Sequence, residues 1–449
     1  MSETLSFRAQ FNPSAEIAAR FGEIHPPLDR QAAVVEANRC LYCFDAPCTA
    51  ACPTHIDVPK FIKKIATDNL SGSARTILDA NILGASCARA CPVEVLCEGS
   101  CVMHRYNKQP IQIARLQRFA VDALHASGDP LPFEPGADTG RSVALIGAGP
   151  ASLACAAELR RRGIRAVIYD ARPLPGGLNT YGIAEYKLTL ADSLREIDLL
   201  AQLGVEFHFE TQVDALMLSE LEQKHNAIFL GIGLGGIHRL GVAGEELAGI
   251  IDALDLIAGY KSGAITQSPA RVAVIGAGNT AIDAAVASVR LGAAEVHMIY
   301  RRGVENMPAF SFEYERAKEE GVKFLWHTLP TAVRGAASID ALELIQLATD
   351  GSLKPLLETQ FTLPVDLVVL AIGQGTHSGL LVNGDANPKI QMERGRILID
   401  RPTGQTSNPK FFAGGDCVNG GREVVDAVAD GKRAAIGIAA WLEGHHVRA

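Results

Sequence analysis

The 449-residue chain contains no run of the roughly eighteen consecutive apolar residues that a membrane helix requires. Its opening stretch, M-S-E-T-L-S-F-R-A-Q-F-N-P-S, has no apolar core of signal-peptide length. A cytoplasmic location without membrane contact is therefore expected. Positive charge is also in short supply, with 42 Lys and Arg against 50 Asp and Glu and a net charge of −8. Phosphate backbones need a basic face, so no nucleic-acid partner is expected. Low-complexity tracts and short-period repeats are absent as well. The length exceeds one ordinary core and implies two or three domains.

Cysteine is present and unevenly spread, with eight of the ten falling in two short stretches. The first, from Cys40 to Pro53, reads C-L-Y-C-F-D-A-P-C-T-A-A-C-P, and the second, from Cys87 to Cys101, reads C-A-R-A-C-P-V-E-V-L-C-E-G-S-C. In a reducing compartment such clusters are metal ligands or catalytic thiols before they are disulfides. The spacing C-x2-C-x4-C-x3-C-P, then C-x3-C-P-x4-C-x3-C, points to iron–sulfur chemistry. Cys-Pro steps of this kind are similar to those of two-cluster ferredoxins, where the cysteine before proline crosses to the other cluster. Structural zinc is the alternative, because paired C-x2-C units are zinc-like. Only one C-x2-C occurs here.

The chain divides by texture. Residues 1 to about 126 carry the cysteines and read as mostly helical, with helical apolar spacing from Leu28 to Arg39. A Pro/Gly-rich stretch, A-S-G-D-P-L-P-F-E-P-G-A-D-T-G, reads as a linker. Beyond it the pattern apolar strand, glycine turn, helix occurs twice, from Arg141 and from Arg271, which implies two dinucleotide-binding units.

In the first turn, Gly147 permits the tight bend and Gly149 lets a pyrophosphate approach the helix N-terminus beside Pro150 and Ala151. Ser152 stands where a third glycine is usual but is small enough for close packing. Asp170, at the end of the following strand, suits a ribose hydroxyl. The second turn runs Gly276-Ala277-Gly278-Asn279-Thr280, and its next strand ends in Arg301 and Arg302. Arginine at that point favours a 2′-phosphate, hence NADP(H), against the alternative of an exposed pair without a ligand. The first unit then suits FAD. Near the C-terminus, F-F-A-G-G-D-C sets Gly415 and Asp416 between a strand and a helix, as in flavin sites closed by a returning chain segment. The expected class is α/β: a helical iron–sulfur domain (1–126), a discontinuous FAD domain (127–237 and 376–449), and a nicotinamide domain (238–375) inserted in it. Cys155 and Cys417 are expected to be packing residues. A thiol–disulfide reductase needs a cysteine pair beside its flavin, and none is available outside the clusters.

R-C-L-Y-C-F-D-A-P-C-T-A-A-C-P-T-H-I-D-V-P-K-F-I, G-A-G-P-A-S and F-L-G-I-G-L resemble the N-terminal half of dihydropyrimidine dehydrogenase, which bacteria carry as a separate subunit. The resemblance covers nearly the whole chain, Ser152 included. The glutamate synthase small subunit is a relative with the same cysteine spacing and a similar Y-R-R-G-x-E-N-M-P stretch. The resemblance implies FAD, two [4Fe–4S] clusters and NADP(H), with NAD(H) also open, and hydride passing to flavin before single electrons leave through the clusters. It implies one cluster on Cys40, Cys43, Cys48 and Cys101, and another on Cys52, Cys91, Cys97 and Gln117. Plain counting of thiols would instead make Cys87 the eighth ligand. Glutamate synthase subunits usually carry glutamate at the Gln117 position, so this residue favours the pyrimidine enzyme; an exposed helical glutamine is the other reading. The expected FAD set also includes Gly177, Leu178 and Lys187, and the nicotinamide set Ala371, Ile372 and Gly373. No FMN barrel follows the helix behind Asp416, so the expectation is an electron-input subunit. Its expected partner is an FMN-containing subunit that reduces uracil and thymine. The alternatives are the glutamate synthase small subunit and, in another class, a non-catalytic zinc- and nucleotide-binding scaffold.

Overall fold

The computed structural model describes residues 15–129, 131–376 and 390–444. Its first part is helical: α1 (Ala15–Arg20), α2 (Arg30–Asn38), α3 (Pro47–Ala50), α4 (Val58–Ala66), α5 (Leu70–Ala80), α6 (Gly84–Ala90) and α7 (Ile113–Ser127). Local chemistry sets these boundaries. Asp29 caps α2 by accepting the Ala32 N–H at 2.7 Å, and Asp57 caps α4 at Lys60, with Pro59 in the first turn. Val58, Phe61, Ile62 and Ile65 then form one buried stripe of α4, which packs with Ile77, Leu116 and Val121. Gly128 ends α7 in the left-handed region at φ 70°.

Two parallel five-stranded sheets follow. The first unit contributes β1 (Ser142–Ile146), α8 (Pro150–Arg161), β2 (Arg165–Tyr169), α9 (Leu178–Tyr181), α10 (Leu190–Gln202), β3 (Glu206–His208), α11 (Ala215–Lys224) and β4 (Ala227–Leu230). The chain then builds β5 (Ile250–Asp252), α12 (Ala253–Lys261), β6 (Arg271–Ile275), α13 (Asn279–Arg290), β7 (Glu295–Ile299), α14 (Ser311–Glu319) and β8 (Lys323–Leu325). An antiparallel sheet of β9 (Thr328–Gly335), β10 (Ile339–Gln346) and β11 (Phe361–Pro364) precedes β12 (Leu367–Leu370), which returns beside β6. After the short β13 (Met392–Glu393) and β14 (Arg396–Ile397), β15 (Phe411–Ala413) rejoins the first sheet beside β4. The strand orders are β15-β4-β1-β2-β3 and β5-β12-β6-β7-β8. The second dinucleotide unit is thus inserted in the first. Where the chain crosses out and back, Ile237 bridges Gln374, and the Gly235 N–H reaches the Gly375 carbonyl at 2.9 Å.

The Pro/Gly-rich stretch is docked, which the sequence reading as a linker did not anticipate. Leu131 and Phe133 pack against both the helical core and the first sheet's core, and the Arg161 guanidinium lies 4.6 Å over the Phe133 ring. The helical domain is clamped to α10 by charge as well. Arg89 pairs with Asp122 at 2.8 Å and with Asp192 of α10 at 3.2 Å. No helix among the described residues is long and apolar enough to cross a membrane.

Candidate functional site

Turns and helix ends of the helical domain bring the thiols to two small hollows. Cys40, Cys43, Cys48 and Cys101 line the first together with Val58 and Ile62 of α4. Cys52, Cys91, Cys97 and Gln117 line the second, beside Cys87 and Asn81. Burial raises the Cys48 thiol to about 12, pushes up Cys40 and Cys97, and adds to the rise of Cys91 that its hydrogen bond with Cys87 leads. Such thiols ionise readily only beside a cation. Among the described residues no three His, Cys, Asp or Glu side chains converge as a single-ion site. Rings of thiols around apolar hollows suit an extended iron–sulfur group better than one tetrahedral zinc, whose ligands must meet at a point.

Gln117 is buried, 7% exposed, and is not an exposed helical glutamine. Its amide nitrogen donates to the Gly84 carbonyl at 2.7 Å, which fixes the amide at the second cavity with its oxygen as the remaining polar atom. Cys87 is buried as well and accepts from Asn81 Nδ2 at 3.2 Å. Both candidates for the eighth ligand therefore line the same wall. The last helix, Val424–Leu442, enters this second cavity through Val425.

At the first glycine turn, Gly147 has φ 92°, and a Cβ there would lie 2.5 Å from the Gly231 carbonyl oxygen. Only glycine lets β1 and the chain after β4 approach so closely. Gly149 leads into α8 with open space at its Cα, the shape that a phosphate needs at a helix N-terminus. Ser152 is fully buried beneath the turn with its hydroxyl unpaired. Asp170 accepts the Ala148 N–H at 2.6 Å and the Arg172 N–H at 2.8 Å. It braces the glycine turn and retains acceptor capacity for a hydroxyl. Gly177 packs on the Gly149 backbone, with Leu178 half exposed beside it, and Gly415 meets Ala151. The turn after β1, the 176–178 loop and the start of the Asp416–Asn419 helix thus share one cradle. Burial, then Asp430 and Asp426, raise the Asp416 carboxyl.

The second turn repeats this design. Gly276 packs against the Ala371 carbonyl, Gly278 leads into α13, and Asn279 Oδ1 accepts the Phe310 N–H at 3.1 Å. Thr280, Arg301 and Arg302 are exposed, and neither arginine side chain forms an ion pair among the described residues. Ile372 and Gly373 leave β12 at the crossover, where Gly373 O accepts from His238 N–H at 3.2 Å.

Lys187 sits between the two dinucleotide units. Its ammonium pairs with Asp283 of α13 at 2.7 Å and Glu313 of α14 at 2.6 Å, and the Tyr186 hydroxyl donates to Asp283 at 2.6 Å. Burial raises Glu313 to about 7, against the pull of Lys187. Lys187, expected in the FAD set, is thus engaged in an interdomain ionic cluster.

Residues 17–129 match the family model described as dihydropyrimidine dehydrogenase domain II, 4Fe-4S cluster, and residues 141–431 match that of pyridine nucleotide-disulphide oxidoreductases. The glutamate synthase [NADPH] small chain of Escherichia coli (strain K12) is 35% identical over 448 residues, covering 94% of each chain. The NAD-dependent dihydropyrimidine dehydrogenase subunit PreT of the same organism is 34% identical over 425 residues, covering 94% of this chain and 97% of that one. Thioredoxin reductase from T. acidophilum shares the fold, with a TM-score of 0.54 at 19% identity over 68% of this chain and 99% of that one. The chain belongs to the pyridine nucleotide-disulphide oxidoreductase family.

Within that family it is an NAD(P)H-dependent flavin and iron–sulfur oxidoreductase. Cys155 and Cys417, the two cysteines outside the thiol-rich stretches, are both buried in cores of the first dinucleotide unit. Sequence reasoning missed Tyr186, Asp283 and Glu313, because each acts across a contact between residues far apart in the chain. Asn81 was legible only as a polar residue just ahead of Cys87.

Proposed function

We propose that this chain is the electron-input subunit of a dihydropyrimidine dehydrogenase. It takes electrons from NADPH, passes them through two [4Fe–4S] clusters, and delivers them to an FMN-containing partner that reduces uracil and thymine. Cys40, Cys43, Cys48 and Cys101 would hold one cluster, and Cys52, Cys91, Cys97 and Gln117 the other. When bound, FAD and the clusters supply the conversion of a two-electron donor into single-electron transfers. The chain's own residues bind and orient. The Gly147–Ser152 turn and the Gly415–Asp416 turn shape the flavin cradle. The Gly276–Thr280 turn receives the nicotinamide dinucleotide, with Ala371, Ile372 and Gly373 at its edge and Arg301 and Arg302 offering charge-assisted hydrogen bonds to a 2′-phosphate. The Lys187–Asp283–Glu313 cluster holds the two units in register. Val425 ties the flavin-binding unit to the second cavity.

The observation that carries the pyrimidine assignment is Gln117, buried at the second cavity with its amide nitrogen already committed to Gly84. A second reading, the small subunit of an NADPH-dependent glutamate synthase, is favoured by the free Arg301–Arg302 pair, since the pyrimidine relative above is NAD-dependent by name and the glutamate synthase relative uses NADPH. Isolation of the native complex decides between them. An FMN-containing partner with uracil-dependent NADPH oxidation supports the first reading. A glutaminase-type partner with glutamine- and 2-oxoglutarate-dependent oxidation overturns it in favour of the second. Zinc without iron or acid-labile sulfide would overturn both.

A further inference from the structure

The two thiol-lined cavities differ in what surrounds them. The second includes Val425 of the flavin-binding unit, whereas the first is lined only by residues of the helical domain. The second cavity is thus the one that adjoins the flavin-binding unit, and the first is the one remote from it. Over it the loop between Cys40 and Cys48 projects apolar side chains into solvent. Phe44 is fully exposed at 100%, and Leu41, itself in the cavity wall, is 53% exposed. Tyr106, at 63%, follows Val102 and Met103, which line the same cavity.

Cations flank this apolar tip. Lys60 and Lys63 are exposed on α4, whose other face forms the cavity wall, and Lys63 Nζ lies 4.7 Å over the Tyr42 ring of the loop. Arg105 and Lys108 are exposed beside Tyr106. None of the four side chains forms an ion pair among the described residues, and Asp45 is the loop's own carboxylate. In a chain of net charge −8, a local group of four unpaired cations around an exposed aromatic is a selective surface.

We propose that Leu41, Phe44 and Tyr106, ringed by Lys60, Lys63, Arg105 and Lys108, dock the electron-accepting subunit through an apolar hollow rimmed by carboxylates. The inference rests on the electron-input reading and specifies where its partner sits. Phe44 supplies the buried anchor of such an interface, and the cations supply orientation and speed of encounter. An anionic membrane would meet the same chemistry. The site's position over the thiol cavity remote from the flavin-binding unit favours a redox protein.

The test uses the full chain loaded with FAD and clusters. The FMN-containing pyrimidine-reducing subunit and a glutaminase-type subunit are each titrated against it by calorimetry at about 0.05 M and about 0.2 M salt. One of them is expected to bind. Phe44→Asp should weaken that binding at least about tenfold, while NADPH reduces its flavin at the wild-type rate, which shows that the loaded chain is intact. Combined Lys60→Glu, Lys63→Glu, Arg105→Glu and Lys108→Glu should slow association and invert its salt dependence, so that added salt now favours binding. Both variants binding as the wild type does would overturn the proposal, as would wild-type binding to phosphatidylserine vesicles but to neither subunit. If neither subunit binds, the functional reading falls and an acidic ferredoxin judges the surface. Salt-sensitive binding that is lost in Phe44→Asp upholds it, and no binding overturns it.

Discussion

Glu196 of α10 is fully buried where the first dinucleotide unit meets the helical domain. Its carboxylate accepts the Ala85 N–H at 2.5 Å, the Ser86 N–H at 3.0 Å and the Ser86 hydroxyl at 2.5 Å. It therefore caps α6, the helix that carries Cys87 and leads into Cys91. Burial outweighs these hydrogen bonds and lifts the carboxyl from 4.5 to about 7. Between those values the folded chain keeps a proton that the unfolded chain has lost. The stabilisation is complete below about pH 4.5 and disappears as pH rises through about 7. Its full size is about 3 kcal/mol, at about 1.4 kcal/mol per tenfold change in proton affinity. Glu196→Gln keeps the shape without the titration. It should cost about 1–2 kcal/mol at pH 5.5 through one poorly met donor, and the deficit should vanish or reverse by pH 8. Glu196→Ala, which orphans two helix N–H groups, should cost about 2–6 kcal/mol at pH 5.5, less at pH 8, and lower the iron content. Urea midpoints of the loaded chain, followed by circular dichroism across this range, provide the measurement. Parallel pH profiles for the wild type and Glu196→Gln would refute the argument.

Lys187→Met would leave Asp283 and Glu313 buried without their cation, and should cost about 3–5 kcal/mol. Glu313, already raised to about 7, would escape by protonating, so the thermal deficit should be greater at pH 8 than at pH 6. Arg301→Ala with Arg302→Ala should remove about 2 kcal/mol of preference for NADPH over NADH. This is about thirtyfold in the ratio of flavin-reduction efficiencies, and equal efficiencies in the unmutated protein would defeat the argument. Cys87→Ala should retain both clusters by iron and sulfide analysis, whereas Gln117→Ala should alter the electron paramagnetic resonance signal of one. The opposite pair of results would make Cys87 the ligand and leave the pyrimidine assignment without its principal support.

Much of the architecture is local and was readable from the chain. Glycines at 147 and 276, each between an apolar strand and a helix, announce parallel dinucleotide-binding units, because few other residues turn so tightly beneath a phosphate. Cysteine spacing announces a metal centre, since thiols on adjoining turns must face one another. The cap at Asp29 and the stripe on α4 belong to the same class of signal. The antiparallel β9–β11 sheet escaped notice: its strands alternate only partly and sit inside a unit whose glycine motif speaks for parallel pairing.

The sequence by itself fixed the fold class and the kind of chemistry, because motifs of a few residues encode turn geometry and ligand type. Tertiary structure alone decided the assembly. Only packing shows that Gln117 and Cys87 line one cavity, that Val425 brings the last helix to it, and that Glu196 caps a helix in the neighbouring domain. It also sets Lys187 against two carboxylates roughly a hundred residues away. Such contacts join side chains whose separation along the chain carries no periodic signal, and their energies arise from burial that exists only once the domains have met.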